Sequence, residues 1–371
     1  MNPTTELPST ALPFTFGGFT VRGGCRRIFI TAELESSNGD PRIQPTGFPD
    51  LGPVLYADPA ERDGLICLIE SEPSMANRLE EVCLENKYEG TLKPALLGLP
   101  YLRAEAGSGA SRVFKTASTL DGHRFASDFL AKGRAVFAPG CTAQTLAEHI
   151  KTSLDMAADG STMPIARIPD AFLLVFGLDT MSLIHGFQIS NEQIKFVGLR
   201  LARALTACIV GLQCQRVTVP GVKFNVGQVE SESGQAIFQK PRITAKIIEA
   251  RFSIDVGLLS SLRLDALDAQ GHPGPHQTAR LRLLVAIALW KIASFLNLLS
   301  VELSLRTECK LRLKRNQDGN VIAPQAKCEP SLDAEPADFP FATVAAETLT
   351  QLVSGADLPE GRSPLTLQFE L

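Results

Sequence analysis

No CxxC pair occurs among the eight cysteines at 25, 67, 83, 141, 208, 214, 309 and 328. Most sit in apolar runs such as LICLI and LTACIV, where a free thiol behaves as a small hydrophobe. That usage fits a reducing compartment, and the cytoplasm is the expected location. GxGxxG, GxxxxGK[ST], GxSxG and HExxH are also missing, which removes the common dinucleotide, phosphate-cradle, hydrolase and zinc-protease signatures. Positive charge is not in excess. The 36 Lys and Arg face 40 Asp and Glu, for a net charge of −4 and a pI near 5.8. No global field draws nucleic acid, so any such binding must come from local clusters. The opening MNPTTELPSTALPF has neither a basic n-region nor an apolar h-region and is not expected to be a signal peptide.

What is present is ordinary globular usage: 371 residues, 44% hydrophobic and 20% charged, enough for a sizeable core. Length allows two or three domains, or one domain with large insertions. CRRIFITAELE reads as the first strand. Residues 36–64, dense in Pro, Gly, Asp and Asn, read as a long excursion after it. LICLIE is a second strand, followed by a helix around Met75–Glu85 whose apolar face carries Met75, Leu79, Val82 and Cys83. Thr142 is the expected N-cap of a helix from about Ala143 to Ala157. AFLLVFG reads as a buried strand, and Ser190 with Gln193 forms a capping-box pattern predicting a helix through about Leu212. RVTVPGVKFNVGQVE and RITAKIIEARFSIDV read as strands. The run from about Gln277 to Leu303 is interrupted by Arg282, Lys291 and Asn297, so it reads as a core helix rather than a membrane span, and no membrane contact is expected. RTECKLRLKRN closes the series as a strand. The order strand, helix, strand, strand, helix, strand is that of the α+β split βαβ, or ferredoxin-like, class to which the RNA-recognition-motif (RRM) fold belongs.

Among the five histidines, the pair in HPGPH has metal-like spacing, but its Pro-Gly-Pro centre favours a surface loop. Basic clusters offer more. In CKLRLKRN, Lys310, Arg312 and Lys314 share one strand face and Leu311 and Leu313 the other, which suits either a phosphate track or a solvated outer face. VRGGCRR adds Arg22, Arg26 and Arg27 around a Gly-Gly pair. In SEPSMANRLEE, a helix start at Pro73–Ser74 with Asn77 and Arg78 one turn in could meet an anion, or Arg78 could pair with Glu81 or Glu85. TLDGHRFASDFL places His123 and Arg124 beside Asp121 and Asp128.

Four stretches carry a family resemblance: RIQPTGFPDLG (42–52), LIESEPSMANRLEE (68–81), GLPYL (98–102) and TLDGHRFASDFL (119–130). In this order they resemble the backbone subunits of CRISPR type I-G effector complexes, formerly I-U, of the RAMP superfamily. The resemblance is specific in the first third of the chain and diffuse afterwards. It implies a single RAMP-like domain over 1–371, an RRM-like palm with large insertions. Residues 36–64 would form a thumb-like or intersubunit loop and residues 90–165 an inserted helical or finger region. It also implies a non-catalytic subunit that polymerises along guide crRNA and presents it for pairing with target DNA. The implied partners are further copies of itself, small end-capping and large Cascade subunits, and a recruited helicase-nuclease. Arg42, Gln44, Asn77, Arg78, His123 and Arg124 lie in the matching stretches and are expected to contact RNA or a neighbouring subunit. Arg22, Arg26, Lys310 and Arg312 join them from the basic clusters. No catalytic residue, cofactor or metal is expected. The alternatives are a metal-dependent endoribonuclease using Asp50, Asp58 or Asp121, and an assembly module without RNA contact.

Overall fold

The computed structural model describes residues 14–16, 19–21, 25–48, 52–61, 64–107, 111–122, 124–217, 242–329, 337–338, 346–359 and 363–369. In chain order β1 is Arg27–Ser36, β2 Leu55–Ala57, β3 Leu65–Glu70, α1 Glu72–Glu81, α2 Leu146–Ser153, α3 Ile168–Leu178, α4 Ser182–His185, β4 Leu205–Leu212, β5 Ile247–Asp255, α5 Gln277–Val301, β6 Leu303–Arg306, β7 Cys309–Leu313, β8 Gln325–Glu329 and α6 Ala346–Gly355. The architecture is mixed α+β around an antiparallel sheet of order β6-β7-β1-β5-β4-β3-β2. β1 is long enough to share one edge: β7 pairs its C-terminal end (Leu311 with Ser36), and β8 its N-terminal end (Glu329 with Arg27).

Period-two alternation decides the faces of this sheet. Ile28, Ile30, Ala32 and Leu34 of β1 are buried, as are Ile248, Ala250, Phe252 and Ile254 of β5 and Leu311 and Leu313 of β7. α1 packs against β4, α5 against β5 and β7, and the two helices contact each other. α5 is long and apolar enough to cross a membrane by length and composition, and 72% of its most apolar window is buried inside the fold. A helix apolar on all sides belongs in a core. Its first turns are tied down by buried Arg280, which donates to the carbonyls of Leu264 (2.7 Å), Ala356 (2.9 Å) and Asp357 (2.7 Å), binding α5 to the end of α6.

A second sheet takes Val113–Ala117, Leu102–Ala106, Leu365–Phe369, Arg134–Ala135 and Gln144–Thr145 in that order, with Leu365–Phe369 parallel to Leu102–Ala106. Residues 90–165 thus carry four of its strands as well as α2. Residues 36–64 return to strand pairing: Arg42–Ile43 pairs with Arg242–Thr244, and β2 pairs with β3.

Three sequence expectations are corrected. AFLLVFG lies in helix α3, opened by Pro169 in its first turn; a short apolar run does not by itself separate a buried helix from a buried strand. Ser190–Gln193 is a turn, with Asn191 Oδ1 accepting from the amides of Gln193 and Ile194, and LTACIVGL after it is the strand β4. The capping box is instead Thr145 with Glu148, so α2 starts at Leu146. The first strand, the α1 face, β5 and α5 fall where expected.

Phe252, on the buried face of β5, meets Phe295 of α5 edge-on at 6.0 Å. Phe252→Ala is expected to lower unfolding free energy by about 3–5 kcal/mol, measured as a shift in denaturant midpoint at constant slope.

Candidate nucleic-acid interface

The cations Lys310 and Arg312 of β7, and Lys314 just after it, share the face opposite the buried Leu311 and Leu313, but each meets a carboxylate. Lys310 Nζ is 3.8 Å from Glu302, Arg312 Nε 2.8 Å from Glu35 and Lys314 Nζ 2.6 Å from Glu33. The row is therefore half of a cross-strand ladder of ion pairs. Solvent-exposed pairs of this kind are worth about 0–1 kcal/mol each, little enough for a phosphate to displace a carboxylate.

Folding brings Lys310 beside Arg42, from the other end of the chain. With Arg242 they line a notch of about 120 Å³ that also holds Asp40 and Glu308. Arg42 grips Asp40 with two nitrogens, Nε to Oδ1 at 3.0 Å and Nη2 to Oδ2 at 2.7 Å, and those bonds lower the Asp40 carboxyl to about 2. Arg242 Nη2 donates to Glu308 at 2.7 Å. Arg26 is exposed, and its carbonyl accepts from the Gly257 amide at 2.8 Å. Arg22 and His123 lie outside the described residues.

The corner after β3 is organised from within. Glu70, 2% exposed, accepts from the Ser74 hydroxyl, from Arg78 Nε at 3.3 Å and from Arg306 Nη1 at 2.6 Å. A buried carboxylate needs such partners. Ser74 and Arg78 thus turn back onto the strand end, and Arg78 pairs with Glu70 rather than with Glu81 or Glu85. Arg306 Nε also holds the Gln44 carbonyl at 2.9 Å, while the Gln44 side-chain oxygen is buried without a hydrogen bond.

Arg124 is interior, with 5% of its surface exposed and φ at 45°. Its Nη1 donates to the Ser118 carbonyl (3.0 Å), Asp179 Oδ2 (3.3 Å) and Ser182 Oγ (3.4 Å), and Nη2 lies against Glu80 Oε1 of α1. Burial pushes the guanidinium pKa down, and Asp179 pulls it back up. Beside it His185, at the end of α4, meets Lys291 of α5: Nζ and Nε2 are 2.7 Å apart, and Lys291 has no exposed surface. Burial, then Lys291, Arg124 and Arg203, push the imidazole well below its usual range. Burial likewise lowers Lys291, with Cys83 opposing.

Over this cluster opens a cavity of about 310 Å³, lined among others by Asn77, Glu80, Arg124, His185, Gln188 and Arg203. Gly186 shapes its rim, because at φ 79° a Cβ would fall 2.7 Å from the Leu201 carbonyl oxygen. Asn77 and Arg124, singled out in the sequence, therefore meet at one site. Glu80, Asp179, His185, Lys291 and Arg203 were not singled out there. The legible signal is Lys291 alone, a single cation in ALWKIASF, which in the sequence is no more than a break in an apolar run.

Among the described residues no group of three or more His, Cys, Asp and Glu is placed to hold a metal ion. His272 and His276 of HPGPH pair separately with Asp268 (3.6 Å) and Asp357 (3.5 Å). Burial pushes the Cys67 thiol up to about 12 and those of Cys214 and Cys309 up to about 11, so these are unreactive core thiols.

With the fold and these sites placed, the chain is assigned to a family of CRISPR-associated proteins. The profile of the CRISPR-associated protein GSU0053 family matches residues 28–216, just over half of the chain, and the chain belongs to that family. No curated protein matches it.

The buried imidazole predicts a pH dependence. Its folded pKa lies below the unfolded value of about 6.5. Below that pH the unfolded chain binds a proton that the folded chain refuses, so stability falls as pH drops, by at most about 1.4 kcal/mol per unit from this group. His185→Gln keeps a partner for Lys291 and should shrink the fall in Tm between pH 7.5 and 5.5.

Proposed function

We propose that this chain is a non-catalytic backbone subunit of a type I-G CRISPR effector complex, polymerising along guide crRNA and presenting it to target DNA. The observation that carries the reading is the notch of Arg42, Arg242 and Lys310 on a chain of a CRISPR-associated family. Cations gathered from distant segments at one exposed place give a net-acidic protein a local phosphate-binding edge. The strand order supports an RRM-like, RAMP-type palm. β1, α1, β4, β5, α5 and β7 follow one another as strand, helix, strand, strand, helix, strand. They lie as β7-β1-β5-β4, with both helices in contact. That order supports the ferredoxin-like reading, in which β2, β3, β6, β8 and the second sheet would be additions. β2 and β6, which end the sheet among the described residues, leave strand edges for head-to-tail association of copies and for other Cascade subunits. Target DNA and the recruited helicase-nuclease would meet the assembled particle, and the cytoplasm is the compartment such a complex works in.

Co-expression with a CRISPR array and the partner subunits should yield a large particle holding RNA of one defined length. Arg26→Glu, Arg42→Glu and Lys310→Glu together should abolish that RNA while leaving Tm within a few degrees. An RNA-free monomer from the wild type would sink the reading. Labelled RNA incubated with the protein and Mg²⁺ should remain intact; cleavage that disappears in Asp58→Ala or Asp121→Ala would instead support the ribonuclease alternative.

A further inference from the structure

We infer that the cavity over Arg124 and His185 binds the phosphate of a single nucleotide, with its ribose and base filling the space in front of Phe187. Three exposed donors surround the opening without a hydrogen-bond or ion-pair partner among the described residues: the Arg203 guanidinium and the side-chain amides of Asn77 and Gln188. A fourth group lies at the back. His185 is 5% exposed and its Nδ1 makes no hydrogen bond, the nearest carboxylate oxygen, Glu80 Oε1, being 4.0 Å away. Lys291 donating to Nε2 leaves the ring proton on Nδ1, a buried donor without an acceptor. Such a group is costly unless something fills its valence.

The sign of the ligand follows from the surrounding charges. Lys291, Arg124 and Arg203 all act on the imidazole in the cationic sense. Among the described residues Glu80 is the one carboxylate in the cavity wall and lies against Arg124, and the second carboxylate of the cluster, Asp179, is bound by the same guanidinium and by Ser182. An oxyanion between Arg203 and His185 Nδ1 would therefore meet donors and net positive potential, with charge-assisted hydrogen bonds from the guanidinium. Inorganic phosphate would leave much of 310 Å³ unfilled, whereas a nucleoside on the phosphate would use the amides of Asn77 and Gln188 and the Phe187 wall. The inference rests on the guide-RNA reading only for the source of the phosphate, an RNA chain or a free mononucleotide.

Calorimetric titration of the full chain with adenosine monophosphate, adenosine and inorganic phosphate, alongside salt-dependent binding of a single-stranded oligoribonucleotide, tests it. The variants are Arg203→Ala, Arg203→Lys and Asn77→Asp, all at exposed positions and checked for unchanged Tm. A site for phosphate within RNA predicts roughly tenfold weaker oligonucleotide binding in Arg203→Ala, partial recovery in Arg203→Lys, and a salt slope lower by about one phosphate. A site for a free nucleotide predicts binding of the monophosphate but not of adenosine, lost in Arg203→Ala and Asn77→Asp. Oligonucleotide binding that is identical in all variants, with no monophosphate bound, overturns this inference and leaves the RNA reading standing. Monophosphate binding without oligonucleotide binding keeps the site and removes the RNA reading; no binding of either overturns both.

Discussion

A guanidinium that has lost its water must be surrounded by acceptors, and the burial of Arg124 is the constraint on which much of this fold depends. Glu80 comes from α1, Asp179 and Ser182 from the segment that ends α3 and opens α4, and the Ser118 carbonyl from the turn after the strand Val113–Ala117. One side chain thus joins a helix under the central sheet to the second sheet and to the helical segment between them. Its φ of 45° costs about 1–2 kcal/mol relative to ordinary backbone, and the surrounding hydrogen bonds offset that strain. Lys291 and His185 extend the polar cluster into the middle of α5, where Lys291 stands between the apolar Trp290 and Ile292.

The same matching of charge runs across the outer face, with a different consequence. There Lys310, Arg312 and Lys314 meet Glu302, Glu35 and Glu33 in water, so each pair is weak and can be exchanged. A protein of net charge −4 can in this way carry cationic edges without a global positive field. Complementary rows of this kind set register between molecules more than they add affinity. The interior pairs at Glu70 and Arg124 are not exchangeable on those terms, because a carboxylate or guanidinium left alone there would be buried and uncompensated.

Legibility in the sequence followed the physics of each segment. β1, β5 and the alternation of β7 were readable because one face is buried and the other wet, which writes period two into the residues. α5 was readable from its length. AFLLVFG and LTACIVGL were misassigned because both are buried on most sides, so neither period survives in the pattern. The capping box was misplaced for a related reason: Ser190-x-x-Gln193 and Thr145-x-x-Glu148 are equivalent words, and only the second has a helix free to extend behind it. At the candidate sites, Arg42, Asn77 and Arg124 stand in the family-like words and Lys310 on an alternating strand, but nothing in those words says which side chain is exposed.

By itself the sequence determined the α+β class, the strand faces, the core helix, the absence of the common catalytic signatures and a family resemblance, all of which are carried by local pattern or by contiguous words. Only the tertiary structure decided that Arg124 is interior, that Arg78 serves Glu70, that Arg42 and Lys310 share a notch, and that His185 faces Lys291 beneath a cavity. Those outcomes depend on which carboxylate arrives beside which cation when distant segments pack. The energy of a charge is set by the groups within a few ångströms of it and by the water it has lost, neither of which is written in the order of the chain.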